Sequence, residues 1–223
     1  MPGVQAGTLQ AGGGRAELIR AALDCIAGQG VHAATVREIA RRAGVSPGLI
    51  RHHFGTKEHL LEEAYRATMA GMTALSRAAR DGDGDDRAAG PRERLRRYVA
   101  ASLAPPVRDA EALTLWAGFI AMIRLNPSME AIHRETYLEY RHDIEALLAE
   151  ILRDAGRVAE AGECRLMAIR INALVDGLWL EGSLDPGAFA EGELLAAGLG
   201  AIEAILGLPL GDGAGTATGK GRG

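Results

Sequence analysis

Between Thr35 and Lys57 the chain reads TVREIARRAGVSPGLIRHHFGTK, with cationic and hydrogen-bonding side chains set among apolar ones at helical spacing. Arginine carries a planar fork that matches guanine N7 and O6, and a cation at the head of a helix suits a phosphate. The chemistry on offer is recognition of DNA rather than making or breaking of bonds. His52, His53 and His59 fall close together, but the pattern around them lacks the ligand spacing of a metal centre, and none is expected. A second set lies downstream. Trp116, Phe119, Ile120 and Ile123 share one helix face; Glu130, His133, Tyr137 and Tyr140 share another; Asn172, Asp176 and Trp179 line an otherwise apolar helix. A carboxylate in such a helix needs a partner, because an unpaired buried charge is costly. The plain reading of Asp176 is a cap or a hydrogen bond to a neighbouring helix. The functional one is a ligand contact, since tryptophan beside a carboxylate suits a cation. The phosphate loop, the paired-glycine dinucleotide fingerprint and H-E-x-x-H are absent, and no nucleophile–base pair is visible, so an enzyme is not expected.

These side chains are presented by helices. Leu18, Ile19, Ala22, Leu23 and Ile26 repeat at helical period until Gly28-Gln29-Gly30. Thr35 and Glu38 form T-x-x-E, a capping box in which each side chain serves the other residue's backbone amide. A short helix follows, ending at Gly44. Ser46-Pro47 reads as an N-cap with proline at the first helical position of the next helix, which reaches Phe54. Thr56 caps a fourth helix running through Met72. Further helices are expected over 91–103, 109–125, 126–154 and 158–180, with a last one after Asp185-Pro186 that ends near Leu206. Two short helices joined by a tight turn at Gly44, with small Ala40 and Ala43 between them, make a helix-turn-helix. Asp81, Asp83 and Asp85 resemble the start of a calcium loop, but Asp86 stands where that loop needs glycine and Arg92 where it needs glutamate; a solvated loop is expected.

The 223 residues are 48% apolar and 24% charged, which fits a globular chain of one or two domains. Aromatic residues are only 4%, favouring helix over sheet. Net charge is −4, yet residues 15–60 hold seven basic and four acidic side chains, a +3 head on a body of −7. No apolar run is long enough to cross a membrane, and residues 1–14 lack the features of a secretory signal. Cys25 and Cys164 lie far apart and read as small core residues of a reducing compartment.

The Thr35–Lys57 pattern, with Val36, Ile39-Ala40, Ala43-Gly44-Val45-Ser46, Gly48, Ile50, Phe54 and then Leu60-Leu61, closely resembles the TetR (tetracycline-repressor) family of bacterial regulators over residues 15–61. Leu115-Trp116-Ala117-Gly118-Phe119 and Leu174 to Leu180 are similar to its choline-sensing, BetI-like branch. The resemblance implies an all-α chain: a tail at 1–14, a three-helix DNA-binding domain at 15–61, a helical ligand-binding and dimerising domain at 62–206, and a glycine-rich tail at 207–223, both tails disordered. It implies a ligand-released homodimeric repressor in the bacterial cytoplasm, at the nucleoid when bound to a near-palindromic operator. The alternative is a helical small-molecule-binding protein without operator binding. Arg37 matches a base-reading position; Pro47, Gly48 and Leu49 open the recognition helix; Thr35, Arg51, His52, His53 and Lys57 are placed for the DNA, chiefly its phosphates. The family usually carries aromatics, often tyrosine, at the positions of Arg51 and His53. An arginine can make the same phosphate contact, and a histidine can donate one hydrogen bond. Trp116, Phe119, Tyr137, Tyr140, Asn172, Asp176 and Trp179 become candidate contacts to a small, cationic effector. No cofactor or membrane partner is implied. Small residues at Ala196, Ala197, Gly198, Gly200 and Ala201 point to a homodimer through the last two helices.

Overall fold

Local capping chemistry sets most of the helix boundaries. In the computed structural model, which describes residues 14–82 and 89–211, there are nine α-helices and no strand among the described residues. They are α1 (Gly14–Gln29), α2 (Val36–Ala43), α3 (Pro47–Phe54), α4 (Lys57–Asp81), α5 (Pro91–Ser102), α6 (Ala110–Ile123), α7 (Pro127–Asp154), α8 (Glu163–Leu184) and α9 (Glu193–Leu206). Thr35 Oγ1 accepts from the Glu38 amide at 3.2 Å, Thr56 Oγ1 from His59 at 3.1 Å, and Asp109 Oδ1 from Ala112 at 2.7 Å. Each satisfies a donor that the first helical turn leaves without an intrahelical acceptor.

Several boundaries depart from the expected ones. The capping box at Thr35 is only half formed: the Thr35 amide bonds the Ala33 carbonyl, and the Glu38 carboxylate turns to Arg41 and Arg42. Ser46 has the extended backbone of an N-cap, but its hydroxyl makes no capping bond. α4 continues past Met72 to Asp81, where Asp81 pairs with Arg80. Asp83, Asp85 and Asp86 lie outside the described residues. α8 starts at Glu163 rather than 158. The end of α7 is closed by Gly156 at φ 70° and by the Arg157 amide on the Leu152 carbonyl, which leaves Val158 96% exposed. Proline after Asp185 stops α8 and opens only a 3₁₀ turn, Pro186–Ala188. Past α9, the chain at 207–211 folds back. Leu210 is buried, and its amide bonds Glu203 at 2.8 Å. Residues 1–13 and 212–223 lie outside the described residues.

The described residues form two compact units. The first combines 14–73 with 108–139, so α6 and the first part of α7 group with the three N-terminal helices. Its core joins Leu18, Ala22 and Ile26 of α1, Ile39 and Ala40 of α2, Ile50 and Phe54 of α3, Leu60, Leu61 and Tyr65 of α4, and Phe119 of α6. Gly118 permits a close approach: a Cβ there would stand 3.2 Å from Ile26 Cγ2. α2 and α3 are joined through Gly44, whose φ of 66° belongs to the left-handed region that glycine adopts without strain.

The second unit holds 74–82, 89–107 and 140–211, with α8 against α9 and α5 against both. Its polar centre is Asp143, which accepts from Arg77 Nε at 2.6 Å, Arg80 Nη1 at 3.3 Å and the Tyr98 hydroxyl at 3.0 Å. Gly198 is buried where a Cβ would meet Leu178 at 3.1 Å. Ile202 and Leu206 are core residues of the protomer itself. The small residues that α9 leaves exposed are Ala196, Ala197, Gly200 and Ala204, and α8 exposes Leu166, Ala173, Gly177 and Leu184. Cys25 is buried as expected, whereas Cys164 is only half-buried.

Candidate nucleic-acid interface

The basic side chains of the head divide into committed and uncommitted ones. Arg41 and Arg42 both bond Glu38, at 2.6 and 3.1 Å, and Arg42 also reaches the Asp24 carbonyl of α1. Hydrogen bonds from Arg41 and then Arg42 hold the Glu38 carboxyl down at about 2, so it stays ionised throughout the neutral range. Arg15 pairs with Glu63. Arg37, Arg51 and Lys57, by contrast, have no hydrogen bond or ion pair among the described residues. One carboxylate offsets one of these two guanidinium charges, and among the described residues the unpaired cations of the head are Arg20 on α1 and Arg37, Arg51 and Lys57 on α2, α3 and the start of α4.

A concavity of about 480 Å³ brings several of these groups together. Pro47, Gly48, Ile50 and Arg51 of α3 line it with Val36 of α2 and Gly55, Thr56, Lys57 and Glu58 at the start of α4. Pro47, Gly48 and Arg51 are exposed and Lys57 is half-exposed. Thr56, read from the sequence as a cap only, belongs to this lining. Its oxygen accepts from His59, which leaves its O–H free to donate outward. Thr35 caps α2 in the same manner and stands exposed beside Arg37, neither of them lining the concavity. Leu49 is half-buried and packs on the core. His52 is exposed; His53 stands edge-on to it at 5.1 Å and lies against Gly14. Positive groups around the amide end of a helix form a seat for phosphate, and the exposed start of α3 is a surface able to approach base edges.

The candidate effector residues fall in both units. In the first, Phe119 is fully buried with its ring 5.0 Å from Tyr65. Tyr65 donates to or accepts from His133 Nδ1 at 2.7 Å, and His133 stacks on Tyr137 at 5.0 Å. Trp116 is half-buried. In the second unit, Tyr140 stacks on Tyr98 at 4.9 Å and shares a hydrogen bond with Ser102 at 2.8 Å. Asn172 donates to Asp176 at 2.9 Å, and the Trp179 indole N–H donates to the Val107 carbonyl at 2.8 Å. The bond from Asn172 to Asp176 thus runs within α8. Tyr65 and Tyr98 were not singled out from the sequence; the scarcity of aromatics was the available signal, since all four tyrosines of the chain join these two clusters.

Comparison with known proteins divides the chain in sequence order, so that the second match takes in α6 as well as most of the second unit. Residues 18–64 match the bacterial regulatory proteins of the tetR family, and residues 91–207 match the C-terminal region of BetI-type transcriptional repressors. The chain is 31% identical over 175 residues to the HTH-type transcriptional regulator BetI of Stenotrophomonas maltophilia, covering 78% of this chain and 84% of that one. A crystal structure of a transcriptional regulator from Pseudomonas aeruginosa PAO1 aligns with a TM-score of 0.74 at 33% identity, over 86% of this chain and 88% of its own. A regulator from Saccharomonospora viridis, solved in complex with choline, aligns at 0.65 and 22% identity over 86% and 95%, a likeness of fold. No helix among the described residues is long and apolar enough to cross a membrane. With a helix-turn-helix whose uncommitted cations face outward and a match that extends over both parts of the chain, the protein belongs to the tetR family of bacterial regulatory proteins, of the BetI type, and is a DNA-binding transcriptional regulator rather than an enzyme.

Proposed function

We propose that this regulator is a homodimeric repressor that occupies a near-palindromic operator through residues 15–61 and leaves it when residues 62–206 bind a small cation. The observation that carries the DNA reading is that Arg51 and Lys57 share a concavity at the start of α3 and α4 and, like exposed Arg37, are uncommitted, whereas Arg15, Arg41 and Arg42 are ion-paired. Two heads of a dimer read half-sites about 34–36 Å apart, or a multiple of that spacing. Arg37 contacts a base edge, with Pro47, Gly48 and Leu49 at the entry of the recognition helix. Thr35, Arg51, His52, His53 and Lys57 hold the backbone. The exposed small residues of α8 and α9 support a dimer built by close helix packing between protomers.

Expected results separate the two kinds of contact. Lys57→Ala weakens binding to every duplex and lowers the salt slope by about 1 per protomer. Arg37→Ala costs about 1–3 kcal/mol and relaxes preference at one base pair. An unchanged ranking of operator variants with Arg37→Ala, measured by anisotropy, removes its base-reading role.

For the effector, support comes from the exposed Asp176 carboxylate on the helix that carries Asn172 and Trp179, with Tyr140 in the same unit. Trp116, Phe119 and Tyr137 are proposed as candidate effector contacts of the first unit taken by itself. Calorimetry with choline and its neutral carbon isostere gives the test. Choline is expected to bind at least about tenfold more tightly, through cation–π and carboxylate attraction, and less tightly to the DNA-bound dimer, as linkage requires. Equal binding of the two compounds removes the cationic effector and leaves the DNA reading in place.

A further inference from the structure

α3 has only eight residues, too few to hold a helix by its own hydrogen bonds, so its pose depends on what grips its ends. Ile50 and Phe54 anchor it in the core. Its C-terminal end is gripped by side chains from two other helices. Arg15 of α1 sends Nη1 to the His53 carbonyl at 3.4 Å and Nη2 to Glu63 of α4 at 2.9 Å, and its guanidinium carbon lies 4.8 Å from the centre of the Phe54 ring. The His59 ring of α4 completes the grip: Nδ1 bonds the Phe54 carbonyl at 3.0 Å, and Nε2 is 3.9 Å from the other oxygen of Glu63. One residue before Arg15, Gly14 makes room for the His53 ring, since a Cβ there would come within 2.9 Å of Nε2.

We propose that Arg15 is a positioning residue of the DNA interface, clamping the C-terminal end of α3 to Glu63 of α4 and so fixing the pose of the recognition helix without touching DNA. This rests on the reading of α3 as the helix that meets DNA. A guanidinium suits the task because one planar group donates from its edge to a carbonyl and a carboxylate while its charge is drawn to an aromatic ring. A lysine offers a point charge that cannot serve all three. With a carboxylate already neutralising it, Arg15 displaces no counterion from DNA, which separates it from Arg51 and Lys57.

The test is a set of anisotropy titrations across a salt series, using the full chain and a duplex selected by the wild-type protein from a randomised pool. Arg15→Met is expected to weaken binding about tenfold with an unchanged salt slope, and Arg15→Lys to recover little of it. Glu63→Gln is expected to weaken binding too, although it removes a negative charge from the head, and the double variant to bind no worse than Arg15→Met alone. A slope lower by about 1 per protomer in Arg15→Met, with full recovery in Arg15→Lys, would make Arg15 a phosphate contact and overturn the proposal. Tighter binding by Glu63→Gln overturns it as well, and so does a lowered thermal midpoint with unchanged affinity, which marks a purely structural role. Arg51→Ala is the control. If it too leaves affinity and slope untouched, the reading of α3 falls and the clamp with it; if it weakens binding while Arg15→Met does not, the clamp alone falls.

Discussion

Gly48→Asp is expected to abolish operator binding while leaving the fold intact. Gly48 is exposed at the second position of α3, its φ is not positive, and a Cβ there meets only Ser46 Oγ at an ordinary 3.7 Å. α3 has no acidic residue in its first turn, so a new carboxylate gains the favourable field of the helix start, about 0.3–1 kcal/mol. The same carboxylate enters the concavity shared with Arg51 and Lys57. It repels phosphate and offers those two cations an internal partner. Like charges brought together in an interface cost several kcal/mol, which corresponds to a loss of at least about 100-fold. Gly48→Ala isolates the steric part. Operator titration beside a thermal melt checks the result, and wild-type affinity in Gly48→Asp would show that the start of α3 does not approach DNA.

Phe119→Ala is expected to cost about 3–5 kcal/mol, a large part of the stability of an ordinary domain. Phe119 is fully buried against Tyr65, on the helix that Gly118 brings close to α1. Removing the ring leaves a cavity that packed helices fill only in part. A ring lining an effector cavity would already face open space, and its loss would cost little stability while reducing effector affinity. Urea unfolding of Phe119→Ala, read beside choline calorimetry, therefore decides between core and ligand contact.

What the sequence revealed and what it concealed follows the range of the interactions. Caps at Thr35, Thr56 and Asp109 act over three residues, so their pattern is visible in a linear chain. The Gly44 turn and the apolar faces of α1 to α4 are equally local. Glu38 had two local options, and short-range pairing with Arg41 and Arg42 prevailed over the capping box; residue spacing alone does not rank them. The start of α8 was hidden because residues 158–162 carry no proline or strong helix breaker before Gly162; the left-handed glycines at 156 and 162 act only through backbone geometry. That Arg15 is not available to DNA depends on Glu63, 48 residues away, a distance at which no periodicity is informative. The grouping of α6 with the N-terminal helices is of the same kind.

The scarcity of aromatics has an optical consequence. The chain holds two tryptophans, and they fall one to each unit: Trp116 half-buried in the first, Trp179 buried in the second with its indole N–H bound to a carbonyl. Each unit thus carries its own fluorophore in its own polarity. Emission from Trp179 belongs at shorter wavelength than emission from Trp116, and replacing either with phenylalanine leaves a single-colour reporter of the other unit. A regulator whose two parts melt or respond in sequence would show it as two separable spectral changes, without any label attached.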